Sequence, residues 1–128
     1  TKPLASEAAM VSAPVRGTVT RAFDAPESSF DMAIMPIDGE REVMAVESGT
    51  VVGVEPSNNS LTTVVVQHAG GYISVYRELG ESLVRKGQSV HSGTVIGNLS
   101  TDEEAGHELV FELWRNGAAV DPQRYILF

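Results

Sequence analysis

Histidine is the side chain best suited to bind a metal or move a proton near neutral pH, and this sequence has three. His68 and His91 have no neighbour at a spacing that suggests a catalytic triad, so we expect a surface or packing role for both. The absence of cysteine excludes thiolate zinc sites, disulfides and a cysteine nucleophile. No Gly-x-Ser-x-Gly segment supports a serine hydrolase. Catalysis, if present, would depend on histidines and carboxylates.

Charge narrows the classes of partner further. The 128 residues carry a net charge of −8, with only nine Lys and Arg residues scattered along the chain. Nucleic-acid binding needs a basic stripe, and anionic membrane surfaces attract clustered basic residues. Neither pattern is visible. The sequence also has no apolar stretch of the roughly 18–20 residues that a membrane helix needs, and no secretory signal.

Short apolar runs separated by turn residues indicate the elements that would position any site. They are rich in Val, Ile, Thr and aromatic residues, as strands are, and they cover residues 15–19, 30–34, 43–46, 50–54, 62–67, 72–76, 94–96 and 108–114. Asp-Gly, Gly-Gly and Asn-Gly pairs between them are hairpin signals. No helix of ten residues is predicted. We therefore expect an all-β sandwich of antiparallel strands with hairpin connections over residues 14–128, preceded by a tail or linker end at 1–13.

Several of these segments, taken in order, resemble the LytM-type (lysostaphin-like, M23) domain of zinc endopeptidases that cut peptidoglycan cross-links. The segments are 14–20 (PVRGTVT), 42–51 (EVMAVESGTV), 64–76 with VVVQHAGGY, 84–97 (VRKGQSVHSGTVIG), 111–114 (FELW) and 117–125 (GAAVDPQRY). The segment 84–97 alone also resembles lipoyl- and biotinyl-carrier folds. Those folds need a modifiable lysine in an exposed hairpin, and neither Lys2 nor Lys86 has that context. The resemblance implies a lysostaphin-like β-sandwich.

In the family that this chain resembles, zinc is held by a His, an Asp four residues later, and the second His of a His-x-His pair. The first two positions fall on Glu27 and Asp31, and the His-x-His pair falls on Glu108 and Val110. A Tyr-x-His segment, whose His acts on the substrate or the attacking water, falls on residues 76–78 and places Glu78 at that His. Only the aspartate is retained.

A shift of one residue would make His107 the ligand instead. The Phe-Glu pair at residues 111–112 matches the family's Phe-Glu and fixes the register. Side chains alternate along a strand, so residues 108, 110 and 112 share one face and 107 lies on the other. We therefore expect His107 to point away from the site.

These replacements predict a domain without zinc and without peptidase activity. Catalytic zinc normally has three protein ligands and an open water position, and Val110 has no lone pair to donate. Neutral imidazole exchanges protons near pH 7, whereas an ordinary glutamate is already ionised. The metal, the base and the transition-state partner of the peptidase are therefore lost together.

The resemblance also implies that the acidic residues converge on one groove, the one that holds the metal site in the family. Its candidate partner-binding positions are Glu27, Asp31, Tyr76, Glu78, Glu108 and Val110. Three interpretations of the carboxylates are open: a solvated acidic patch, an oxygen-ligand site for Ca²⁺ or Mn²⁺, or a surface that recognises a cationic group of a partner. Ionised carboxylates cannot crowd together without a compensating charge.

The expected function is that of a non-catalytic domain of the bacterial periplasm or cell envelope that binds a partner in cell-wall remodelling. Degenerate LytM domains act as activators of cell-wall amidases, so the resemblance implies an envelope protein such as an amidase as partner. One alternative is a peptidoglycan- or peptide-binding module. Another, disfavoured by Val110, is an active zinc endopeptidase with rearranged ligands.

Overall fold

Ten β-strands make up most of the chain in the computed structural model, which describes residues 13–23, 31–37, 40–56, 61–100 and 108–126. The strands are β1 (Gly17–Arg21), β2 (Met32–Pro36), β3 (Glu42–Met44), β4 (Gly49–Pro56), β5 (Thr62–Gln67), β6 (Tyr72–Ser82), β7 (Ser89–Val90), β8 (Val95–Leu99), β9 (Leu109–Arg115) and β10 (Ala118–Val120). Strands account for 59% and helix for 6% of the structure. The all-β prediction is confirmed.

The eight predicted runs all coincide with or overlap strands. Two strands were not predicted. β7 has two residues, too few to show an alternating pattern. β10 follows the Asn116-Gly117 turn, whose φ angles of 51° and 84° are those that let a two-residue hairpin close. Helical residues in the described ranges occur in two three-residue 3₁₀ turns, Ala69–Gly71 and Pro122–Arg124.

All strand pairs in the described ranges are antiparallel. The main path runs in the order β1-β2-β9-β6-β5-β4-β7. The long strand β6 pairs with β5 and β9 along its first part and with β8 at its end. Since β8 pairs with β3, β6 connects the main sheet to this second pair of strands.

The core lies on one face of the main sheet, against the β3–β8 pair. Alternation along β6 directs Tyr72, Ser74 and Tyr76 into the protein, and all three are buried. Tyr72 and Tyr76 share one buried cluster with Phe111 of β9 and with residues of β3 and β8. The opposite face carries several of the positions that the sequence singled out for chemistry, Val110 among them.

The folded domain includes its predicted first residues. Pro14 and Val15 are buried and Ala13 packs against the core, while residues 1–12 lie outside the described ranges. The boundary between residues 13 and 14 remains a prediction. Within the described ranges, no helix has both the length and the apolar character needed to cross a membrane.

Candidate functional site

The outer face of the main sheet brings Asp31, Glu108 and Val110 to the centre of one surface. Ala33 of β2 is opposite Val110 of β9 in the antiparallel register, so these two side chains share a face. Asp31 and Glu108 lie two residues from Ala33 and Val110 respectively, and alternation places them on the same side. The structure therefore assembles three of the positions predicted from the sequence. Glu27 and His107 lie outside the described residues.

Two arginines flank this centre, and the sequence analysis did not anticipate them. Arg21 of β1 is the register partner of Ala33, and Arg77 of β6 is the register partner of Val110. Four neighbouring strands thus align Arg21, Ala33, Val110 and Arg77 in one row across the sheet. We call this set the cross-sheet row. Its middle is apolar and both of its ends are cationic.

Asp31 and Glu108 each have a hydrogen-bonding partner from β1. The Arg21 guanidinium contacts Asp31, with Nη1 2.5 Å from Oδ1. The Thr20 hydroxyl donates a short hydrogen bond to Glu108 and lies 3.3 Å from the carbonyl oxygen of Ala33. These contacts tie Asp31 and Glu108, two of the predicted site positions, to strand β1.

A third carboxylate, Glu112, is the best satisfied on this face. Its side chain is 7% exposed and its Oε2 is 2.7 Å from Nε of Arg77. The indole N–H of Trp114 donates to the other oxygen, Oε1, over 2.8 Å. Alternation from Val110 already indicated that Glu112 faces the groove, but the sequence analysis used it only to fix the register. The alternation of side chains along β9 was therefore sufficient to predict that Glu112 faces the groove.

Two other predicted positions, Tyr76 and Glu78, lie outside the cross-sheet row. Tyr76 was a candidate groove contact, but its side chain is fully buried on the core face, because it is opposite Phe111 in the register. Burial raises the pKa of its phenol to about 12. Glu78 is half-buried with φ of 70° and lies where β6 turns from β9 towards β8. The structure thus corrects the placement of Tyr76.

His68 belongs to a buried hydrogen-bonded chain on the core face. Its Nδ1 is 2.9 Å from the carbonyl oxygen of Ser48, and its Nε2 is 2.7 Å from Oγ of Ser74. The Ser74 and Tyr76 hydroxyl oxygens are 2.7 Å apart, and the amide of Val46 donates to Tyr76 over 3.0 Å. Burial lowers the pKa of His68 despite the bond to Ser48. Of the two roles expected for His68, the structure shows packing.

The donor set of the groove does not fit the family's zinc. Val110 offers no lone pair, and the Asp31 carboxylate already holds a guanidinium. Across the described ranges, no group of three His, Cys, Asp or Glu residues is arranged to hold a metal ion. His91 is exposed at the turn before β8, away from the row. The compensating charge that crowded carboxylates require is supplied by Arg21 and Arg77.

Fold and site together define an antiparallel β-domain whose outer face carries an apolar centre, carboxylates and two arginines. The profile of Peptidase family M23 matches residues 30–122. The chain belongs to peptidase family M23, and the resemblance found in the sequence is confirmed.

Similar proteins include sporulation and cell-envelope proteins. Stage II sporulation protein Q of Bacillus subtilis is 34% identical over 88 residues, which are 66% of this chain and 31% of that protein. The murein hydrolase activator NlpD of Escherichia coli is 26% identical over 117 residues, 88% of this chain and 30% of NlpD. The lipoprotein NlpD/LppB homolog of Pseudomonas aeruginosa is 32% identical over 116 residues, 88% of this chain and 38% of that homolog. The chain therefore spans about a third of each relative.

Solved structures agree with this assignment. A chain of the SpoIIQ–SpoIIIAH pore-forming complex superimposes with a TM-score of 0.73 and 28% identity, covering 91% of this chain and 90% of that chain. Lysostaphin superimposes with a TM-score of 0.68 at 18% identity, covering 88% of this chain and 53% of lysostaphin. The lysostaphin-like fold is confirmed.

Proposed function

We propose that this chain is a non-catalytic M23 domain of the bacterial cell envelope that acts by binding a partner protein in cell-wall remodelling. The observation that carries the proposal is Val110, which occupies the position of a histidine ligand at the centre of the groove. Without a third donor there, zinc cannot be held in the family's manner. The groove then serves as a contact surface, and its apolar centre is buried against the partner.

The relatives support the choice of partner class. NlpD is a murein hydrolase activator, and the SpoIIQ–SpoIIIAH structure contains an M23-like fold in a complex with another protein. We therefore propose a cell-wall amidase as the candidate partner. The lipoprotein among the relatives supports a periplasmic or envelope location.

Two measurements on the purified domain test the loss of catalysis. Elemental analysis should find no stoichiometric zinc, and incubation with cross-linked peptidoglycan should release no new peptide ends. One tightly held zinc per chain, or turnover that Asp31→Ala abolishes, would contradict the proposal.

A third measurement tests partner contact through the groove. A cell-wall amidase should cleave peptidoglycan faster when the domain is added, and Val110→Asp should weaken this stimulation because it places a charge on an apolar contact surface. Glu78→Ala combined with Glu108→Ala should weaken it mainly at low salt. Val52→Asp is the matched control, since Val52 is exposed on β4, three strands from β9 in the sheet order. Equal stimulation by the wild type and folded Val110→Asp would place the working surface elsewhere.

A further inference from the structure

The cation that M23 peptidases bind has a counterpart within this chain. We propose that the Arg21 guanidinium serves as the fixed counter-ion of Asp31 and thereby closes the old metal position to divalent cations. The inference rests on the proposed non-catalytic function and explains how the groove is stabilised without a metal. It also assigns a role to β1, which carries none of the family's ligands.

The backbone of β1 is built to deliver this side chain. The register runs from Gly17 opposite Pro36 to Val19 opposite Ile34, and it then shifts so that Arg21 is opposite Ala33. Without the shift, Arg21 would be opposite Met32, which is fully buried on the core face. A bulge of this kind redirects a side chain. Here it brings Arg21 to the groove face.

The residue inside the bulge completes the arrangement. Thr20 lies between the two ends of the register shift and bonds to Glu108, while Arg21 bonds to Asp31. A single irregularity in β1 therefore places a hydroxyl donor on one vestigial position and a guanidinium on the other. By the resemblance, Asp31 stands at a zinc-ligand position of the family, and Glu108 stands where the family has a histidine.

The electrostatics of the groove follow from these pairs. The groove face carries three carboxylates, those of Asp31, Glu108 and Glu112. Arg21 is in contact with Asp31, and Arg77 is in contact with Glu112, so two of the three negative charges are compensated. A divalent cation approaching Asp31 would have to displace Arg21 and then remain close to a like charge. The Asp31 side chain is 26% exposed, so bulk water screens this repulsion only in part.

An ordinary surface ion pair would not have these consequences, and the residue before β1 forms such a pair for comparison. Arg16 contacts Glu40 at 3.4 Å with 70% of the Arg16 side chain exposed. Exposed pairs of this type contribute little. The Arg21–Asp31 pair is shorter and less exposed, and its arginine is positioned by a bulge. Arg16 is therefore the matched control for Arg21.

The test restores the family's ligands and asks whether Arg21 opposes the metal. The base variant carries Glu27→His and Val110→His, which together with Asp31 recreate a His-Asp-His donor set by sequence correspondence. Arg21→Gln is added in a second variant and Arg16→Gln in a third. Zinc affinity is measured at pH 7 by competition with a chromophoric chelator, after circular dichroism has shown that all three variants are folded.

Arg21→Gln should tighten zinc binding by about tenfold or more, because it removes a like charge from the site. Arg16→Gln should leave the affinity within about twofold, since exposed charges are screened. Equal zinc affinity with and without Arg21, or no zinc binding by either, would overturn the proposal. Zinc in the wild-type domain would overturn both the proposed function and the closure of the metal position, whereas equal zinc affinity of the two variants would overturn only the role of Arg21.

A second readout needs no metal. In the wild-type background Arg21→Gln should lower the melting temperature by about 2–4 °C, because it leaves Asp31 without its counter-ion. Asp31→Asn added to Arg21→Gln should recover most of that loss. If the second substitution lowers the melting temperature further, Arg21 is not the counter-ion of Asp31.

Discussion

His68 connects the turn before β4 to β6 through hydrogen bonds of both its ring nitrogens. Its Nδ1 lies 2.9 Å from the Ser48 carbonyl oxygen, which can only accept, and its Nε2 lies 2.7 Å from Oγ of Ser74. Ser74 donates to the Tyr76 hydroxyl, which also accepts from the Val46 amide. Burial of the ring favours its neutral form and lowers its pKa.

This preference predicts a pH dependence of stability. Above the ordinary pKa of 6.5, the ring is neutral in both states and the contribution is fully present. As the pH falls below 6.5, the unfolded chain takes up a proton that the folded chain resists. The free energy of unfolding should therefore decrease towards the lowered pKa of the folded state, by at most about 1.4 kcal/mol per pH unit.

Urea unfolding between pH 5 and pH 8 measures this effect. His68→Gln should flatten the slope below pH 6.5, and His91→Gln, which changes an exposed histidine, should keep the wild-type slope. Equal slopes for the wild type and His68→Gln would contradict the assignment.

At the scale of single elements, irregular positions in two strands determine how the groove is built. The bulge in β1 delivers Arg21, and Glu78 marks the point where β6 leaves β9. Its φ of 70° is in the left-handed region, which costs non-glycine residues about 1–2 kcal/mol. Strained backbone of this kind is often found at functional sites. Glu78 stands where the resemblance places a catalytic histidine.

The backbone at Glu78 predicts opposite effects for two substitutions. Asparagine tolerates the left-handed region, so Glu78→Asn should raise the free energy of unfolding by about 0.5–1 kcal/mol. Glu78→Val should lower it by about 1 kcal/mol or more, because a β-branched side chain clashes there. Chemical denaturation measures both values.

Glu55 is the matched control because it lies in β4 without a positive φ. There the replacement of Glu by Asn should be neutral or destabilising, since asparagine is depleted in strands. Stabilisation at both positions would mean that the backbone conformation of Glu78 is not the cause.

At the scale of the whole molecule, one buried cluster extends from the residues before β1 to those after β10. It includes Val15 near the beginning of the described chain and Ile126 near its end, together with residues of β3, β6, β8 and β9. A single cluster predicts one cooperative unfolding transition. The domain boundary between residues 13 and 14 remains a prediction.

Removal of residues 1–12 tests that boundary. The shortened chain should unfold in one transition with a free energy within about 0.5 kcal/mol of the full chain, as expected for changes that leave the core intact. Val15→Ala is the contrasting variant because Val15 is 1% exposed and its truncation creates a cavity. Loss of more stability from the deletion than from Val15→Ala would move the boundary towards the N-terminus.

Prediction from the sequence succeeded where residue type and local period determine the outcome. Alternating apolar residues located eight of the strands, and Asn116-Gly117 located a hairpin, because both signals act within a few residues. The Phe-Glu pair at 111–112 also places Val110 at a ligand position of the family, and this assignment stays a prediction.

The partners of the groove carboxylates depended on the tertiary structure. Thr20 and Glu108 are 88 residues apart in the sequence, and Arg77 and Glu112 meet only because β6 pairs with β9. A bulge shifts every later pairing by one residue, and the apolar pattern of β1 does not reveal it. Residue types and short-range periodicity therefore determined the family and the strands. Lateral pairing across four strands decided that the side chains of Arg21 and Arg77 lie in the groove.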